Sequence, residues 1–221
     1  MSRDDAMDPN APQAAELVAE LRAISEALAV NQIDTAALAD ATQLARRLRQ
    51  RLAGPRRRRW YDEDPNSMGP ASRRAYLAQS PVRGRHNPVA PPLALETVER
   101  DDGSRGVEAR ARLGMAYEGP PHGVHGGWVA ALFDEVLGSV QGAHQPGVTA
   151  ILTVRYRHLT PVEEELRFEG WLESQRARRT VAKATCHAGD TLTADAEGIF
   201  VRVDFAEVQQ RMRSRRDSSK G

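Results

Sequence analysis

The stretch GPPHGVHGGWVAALFDEVLG, residues 119–138, gathers residue types that carbonyl chemistry uses. A Gly/Pro/His-rich loop stops at His125-Gly126-Gly127. An apolar helical pattern begins there and carries a carboxylate, Asp134, two turns in. Backbone N–H groups at a helix start have no intrahelical acceptor and carry partial positive charge. They can donate to a carbonyl oxygen as negative charge develops on it. Glycine lets a reacting group approach the backbone closely, so Gly126, with Gly127 behind it, is the natural oxyanion donor. Asp134 would be the general base or nucleophile. Its competing reading is a buried carboxylate satisfied by helix-end or strand amides, because an unpaired Asp among apolar side chains is costly. His125 either holds the loop and the reacting group or bonds a neighbouring carbonyl.

Spacing adds a constraint. Gly126 and Asp134 are eight residues apart, roughly 12 Å along a straight helix. A nucleophile must come within about 3–3.5 Å of the carbonyl carbon. One helix cannot easily serve both ends of the reacting group. Two antiparallel helices from paired subunits can, each offering its glycine end to the other's Asp. The expectation is a homodimer with two composite sites, possible also as a dimer of dimers.

The surrounding pattern supplies a frame for that helix. LALETVE and GVEARARL flank Asp101-Asp102-Gly103, a hairpin signal. After the helix come VTAILTVRYRHLTP, ELRFEGWLESQ, RTVAKATCHAG and TLTADAEGIFVRVDF, with a tight turn at Ala188-Gly189-Asp190. Leu152, Val154 and Tyr156 alternate with Thr153, Arg155 and Arg157, a period of two with one apolar face. Two strands, one helix and four strands with short connections favour antiparallel pairing. The helix is apolar on most of its circumference, so the curved sheet should wrap it. The fold class is α+β, with an N-terminal helical extension.

That extension, residues 1–79, reads as a helical hairpin and a linker. Leu17, Leu21, Ile24 and Leu28 recur at helical spacing, as do Leu38, Leu44, Leu48 and Leu52 after a break at 31–35. Each apolar stripe needs a cover. Asp34 or Thr35 can cap the second helix, and Gly54-Pro55 stops it. The run Arg56–Arg59 beside Trp60-Tyr61 has the makings of a nucleic-acid contact. The acidic block at 62–64 makes a self-neutralised linker the better reading. Residues 72–79 predict a short helix. SPVRGRHNPVAPPL, 80–93, is too proline-rich for a helix or ladder and is expected to run extended. Residues 80–205 form the main domain, and 206–221 read as a disordered polar tail.

Bulk composition excludes several classes. A net charge of +1 argues against a protein built to hold nucleic acid. No apolar run approaches the roughly 18 residues of a membrane span. The start, MSRDDAMDPNAPQ, lacks the cationic and apolar blocks of a secretory signal. The single cysteine, Cys186, precludes an intramolecular disulfide and an all-cysteine zinc site. The expected location is cytoplasmic. His122 and His125 stand close, but the rest of a ligand set is missing, so no metal is expected.

With the central helix, the His-Gly-Gly loop, Asp134 and the strand opening Val148-Thr149-Ala150 in view, residues 80–205 resemble the hotdog-fold acyl-CoA thioesterase superfamily. YEGPPHGVHGG and TVRYRHLTP are most similar to the branch of the mammalian long- and medium-chain acyl-CoA thioesterases, with the phenylacetic-acid-pathway enzymes as close relatives. The resemblance implies hydrolysis of acyl-CoA thioesters in fatty acid metabolism, with coenzyme A as part of the substrate and no separate cofactor. It implies the oxyanion role for Gly126 and the paired-subunit site. It matches Thr149 to a hydroxyl that orients the attacking water, against an ordinary strand threonine. Thr149 shares strand parity with Thr153, consistent with facing away from the core. Arginine pairs well with phosphate, so Arg155, Arg157, Arg178 and Arg179 are candidates for coenzyme A, against solvated surface positions. Trp128 either lines the acyl pocket or packs. Part of the family carries Asn where Gly119 stands here. Pro120 occupies the place of the hydratases' catalytic Asp, which argues against hydration. Two other classes stay open. One is a non-catalytic acyl-CoA-binding module. In the other, the extension docks a partner, and its removal spares hydrolysis.

Overall fold

The computed structural model describes residues 11–57, 70–141, 147–204, 207–208 and 210. Within these, three helices precede the main domain: α1 (Ala11–Val30), α2 (Thr35–Arg51) and α3 (Pro70–Ala78). The domain then runs β1 (Leu93–Glu99), β2 (Arg105–Arg112), a 3-10 turn (Met115–Tyr117), α4 (Gly126–Val140), β3 (Val148–Tyr156), β4 (Glu165–Arg176), β5 (Arg179–Ala188) and β6 (Thr191–Val201). The six strands make one sheet in the order β1-β2-β4-β5-β6-β3, every neighbour antiparallel. This is the α+β arrangement that the strand and helix patterns predict. The Arg58–Arg59 end of the basic run, Trp60-Tyr61, the acidic block and nearly all of the polar tail lie outside the described residues.

α4 lies against β2 to β6. Its fully covered side chains are large: Val129, Leu132, Phe133, Val136 and Leu137. The sheet answers with small ones on its inner face, Ala182, Ala184, Ala194 and Ala196. Large into small interdigitates at the density of a protein interior. Phe133 meets Phe168 of β4 edge to face at 5.3 Å. Gly170 sets the closest approach, since a Cβ there would lie 2.9 Å from Val136 and 3.1 Å from Val140. Each fully buried aliphatic or aromatic side chain contributes about 1.5–3 kcal/mol. At the hairpins, Gly103 (φ 75°) and Gly189 (φ 54°) occupy the left-handed positions the turns require. β3 closes one end of the sheet. Its outer edge has no strand neighbour among the described residues, and Ile151 and Tyr156 are each 54% exposed.

The N-terminal helices form where the spacing places them, and Asp34 caps α2 by accepting the Ala37 N–H at 2.9 Å. They do not close into a packed hairpin. α2 buries none of its side chains, and Leu38, Leu44 and Leu52 stay 40–58% exposed. α1 turns a different stripe inward from the expected one. Val18 is buried and Leu17 and Leu21 are half-buried, while Ile24 and Leu28 face outward. The reason is that α1 docks on the loop around the 3-10 turn. Residues 80–92 also depart from the extended course expected of them. They fold into successive turns, with bonds from Gly84 N to Ser80 O, Asn87 N to Gly84 O and Ala90 N to Asn87 O. The Asn87 side chain stabilises them by donating to Gln79 O and accepting from Val89 N. Prolines exclude ladder pairing there without excluding turns.

Candidate functional site

His125 ends the loop and caps α4. Its Nδ1 accepts the Gly127 N–H at 3.0 Å, the N2 amide that a capping side chain serves. This bond assigns the ring proton to Nε2. The ring thus holds the helix start, while the backbone N–H of His125 donates to Tyr117 O at 2.8 Å. Gly127 therefore has its N–H engaged. The Gly126 N–H has no acceptor among the described residues, and Gly126 lines a cleft of about 420 Å³. Pro120, Val124 and Val129 give that cleft apolar walls, and Tyr156 and Arg157 stand at its polar side. Gly119 packs directly on the capping residue. A Cβ there would fall 2.7 Å from His125 Cα and 2.9 Å from its Cβ. Any larger residue, Asn included, would have to displace His125, which accounts physically for glycine at this position.

Asp134 lies two turns along, half-buried. Thr149 Oγ1 donates to its Oδ1 at 2.7 Å. Oδ2 has no partner among the described residues, so it is free to meet water. The strand parity that turned Thr149 away from the core does not survive. A bulge between Thr149 and Ile151 shifts the register, so Thr149 pairs with the buried Phe200 while Leu152 pairs with Gly198. Both then face α4. One extra residue reverses the face of everything before it.

Two residues at the site were not singled out from sequence. Tyr156, read as a member of an apolar strand face, donates its hydroxyl to Gly126 O at 2.7 Å. Its ring lies over Gly126, where an added Cβ would sit 3.3 Å away. The signal was its polar tip at the end of an otherwise apolar alternation. Glu135 stands beside Asp134 in sequence but points elsewhere. It pairs with Arg83 at 3.2 Å, with Ser80 Oγ at 3.4 Å from its other oxygen. Burial raises its pKa, against the opposing effect of Arg83.

The four candidate arginines form two groups. Arg155 and Arg157 both reach Asp195 on β6, at 3.3 and 2.5 Å. Arg157 is the stronger influence holding Asp195 below the usual carboxylate range. Arg178 donates to Arg202 O at 2.9 and 3.3 Å, and Arg179 opens β5 opposite Val201. Val201 in turn pairs with Val148, so this second group sits at the Asp134 end of the sheet, two strands in from its edge. Trp128 packs its ring edge to face on Tyr117 at 5.1 Å, and His122 is exposed with its N–H on Glu118. Burial pushes the Cys186 thiol to about 11, so it is neither a nucleophile nor a ligand near neutrality. Among the described residues no cluster of three or more His, Cys, Asp or Glu could hold a metal, and no helix is long and apolar enough to cross a membrane.

Gly126 and Asp134 thus occupy the two ends of the seam where α4 meets the edge strand β3, the first bonded to Tyr156 and the second to Thr149. Residues 122–194 around this seam match the family model described as Thioesterase superfamily. Acyl-coenzyme A thioesterase THEM5 of Homo sapiens is 28% identical over 97 residues, 42% of this chain and 39% of that protein. The chain therefore spans about two fifths of the length of that curated relative. A crystal structure of a thioesterase superfamily protein superposes with a TM-score of 0.69 at 28% identity, covering 85% of this chain and 94% of that one. The sheet wrapped on α4 is the hotdog fold, and its residues 122–194 are similar to the thioesterase superfamily.

Proposed function

We propose that the protein is a thioester hydrolase that cleaves acyl-CoA to free acid and coenzyme A in sites shared by two protomers. The observation that carries this reading is the unengaged Gly126 N–H at the mouth of a cleft, on the same α4–β3 seam as a Thr149-held Asp134. Two copies related by a dyad across that seam set the Gly126 end of one α4 opposite Asp134 of the other. The exposed outer edge of β3 supports this pairing, since an unpaired edge with apolar side chains is a template for a second strand. The superfamily match and the acyl-CoA thioesterase relative support the reaction class.

The chemistry follows from the groups present. The thioester carbonyl oxygen points at Gly126 N–H. Asp134 takes a proton from water as the oxygen of that water bonds the carbonyl carbon, or its carboxylate attacks the carbon directly and water hydrolyses the resulting anhydride. The tetrahedral oxyanion gains the Gly126 N–H bond as charge develops. The C–S bond then breaks and coenzyme A leaves as thiolate, to be protonated. Thr149 fixes one carboxylate oxygen so that the other faces the reaction. The dyad brings Arg155 and Arg157 of one protomer towards Arg178 and Arg179 of its partner, a basic rim for the phosphates of coenzyme A.

The test is thiol release from short, medium, long and aromatic acyl-CoAs. Asp134→Ala should abolish turnover, and Asp134→Asn should reduce it sharply while preserving binding. Wild-type protein that binds acyl-CoA, with thermal stabilisation, yet releases no thiol from any member of the series would overturn hydrolysis in favour of a binding module.

A further inference from the structure

α1 is fastened to the loop ahead of α4 by a single carboxylate. Glu26 Oε1 accepts the Met115 N–H at 2.6 Å and Oε2 accepts the Ala116 N–H at 3.0 Å. These are the opening amides of the Met115–Tyr117 turn, whose N-cap residue, Gly114, has no capping side chain. Glu26 supplies from 90 residues away the acceptor that the turn lacks. Gly114 admits it, because a Cβ there would lie 2.5–2.7 Å from the carboxylate. One turn earlier, Arg22 donates to Gly84 O and Asn87 O, both at 3.1 Å, which holds the helix in place.

The far side of the same turn holds the site. Tyr117 O accepts the His125 N–H, and the Tyr117 ring packs on Trp128. His125 caps α4 and so fixes the direction of the amides at 126 and 127. Between the Glu26 carboxylate and the Gly126 N–H stand one short turn, one backbone bond and one cap. We propose that Glu26 is a positioning residue for the oxyanion donor, so that the N-terminal helix is part of the working site. This rests on the hydrolase reading above.

Glu26 touches no substrate, and its loss acts through the turn. Without it, two amides lose their acceptor and the carbonyl that steadies His125 gains freedom. An oxyanion donor must meet the oxygen where charge develops, so misplacement costs the transition state more than it costs binding. Glu26→Ala is therefore expected to lower kcat by about ten- to a hundredfold, with KM changed by less than about twofold. Glu26→Gln keeps the length but turns an N–H2 towards one of the two amides, and should fall between. Glu20→Ala, exposed on the same helix, is the control and should match wild type.

Amide exchange gives a readout independent of turnover. Glu26→Ala should speed exchange at Met115, Ala116, His125 and Gly127, whose N–H groups are bonded, and leave β4 and β5 unchanged. Faster exchange confined to 115 and 116, or kcat unchanged at temperatures well below melting, overturns the proposal and leaves Glu26 a stabilising contact. A wild type that hydrolyses nothing defeats the hydrolase reading instead, and the exchange at His125 and Gly127 then still decides whether Glu26 orders the helix start.

Discussion

A shared site can be tested by breaking each half in a different protomer. Gly126→Pro removes the one N–H assigned to the oxyanion. Gly126 is the first helical residue, where proline is tolerated. Proline also demands an extended predecessor, and His125 already has φ −57° and ψ 129°. The ring must press on Tyr156, 3.3 Å from the added Cβ, and that side chain is half exposed and able to give. Gly126→Ala imposes the same crowding with the donor retained, so the difference between the two variants isolates the N–H. Loss of one oxyanion donor costs about 10²–10³ in kcat. Loss of the Asp134 carboxylate costs about 10²–10⁴. Each homodimer should therefore be nearly inactive. A heterodimer of Gly126→Pro with Asp134→Ala contains one site with both defects and one site with neither. Isolated through two different tags, it should run at about half the wild-type rate per dimer; a random mixture should reach about a quarter, since half its dimers are mixed. If Gly126 and Asp134 of the same protomer act together, every site in the mixed dimer lacks one group and the rate stays at the parental level, at most about 1%. That result, or turnover by a monomer, would refute the geometric reasoning from the eight-residue spacing.

Two further outcomes concern the ground on which the site stands. Burial raises the Glu135 pKa, so as pH rises from its ordinary value of about 4.5 the unfolded chain gives up this proton before the folded one does. Its contribution to stability is whole below that pH and is lost as pH climbs through the raised value; urea titrations should show Glu135→Gln gaining relative to wild type across that window, and a constant difference from pH 4 to 8 would contradict the assignment. Gly170→Ala should destabilise the fold by about 1–3 kcal/mol in urea melts, because its Cβ would press on Val136 and Val140 from a strand that cannot move away; a neutral result would mean that α4 has slack against the sheet.

The parts of this protein that were legible in its sequence are those whose information is local. Period-two alternation exposes the strands, and the apolar circumference of 128–137 identifies a helix that must be covered. Glycines after a histidine, at the start of that helix, mark an amide-rich mouth. Asp34 before an apolar-periodic run announces a cap. Each signal lies within a few residues of the feature it specifies. Where the signal is divided, the reading fails. Prolines in 80–93 rule out a ladder equally for an extended strap and for a series of turns, and the choice is made by Asn87 and by Arg22, the latter more than 60 residues away. Arg155 and Arg157 look like free cations until β6 brings Asp195 beside them.

Thr149 shows how far one such gap can carry. The resemblance matched it to a hydroxyl that orients water beside Asp134, while simple alternation turned it away from the core. The bulge after it costs one ladder position and restores the hydroxyl to the helix side, 2.7 Å from the carboxylate. Bulges recur where a sheet must aim a side chain, and this one lies in the edge strand, where a lost pairing disturbs only one neighbour. The same edge is the strand that a second protomer would meet. The irregularity thus serves the site and the seam together: a regular β3 of the same length would turn Thr149 outwards and leave Asp134 without the hydroxyl that fixes it. Deleting Ala150 removes the extra residue and leaves Thr149 opposite Phe200 with Ile151 opposite Ile199, so regular alternation then keeps Thr149 on the face of Leu152 and the Thr149–Asp134 bond should persist; loss of that bond while the strand still pairs with β6 would contradict this register.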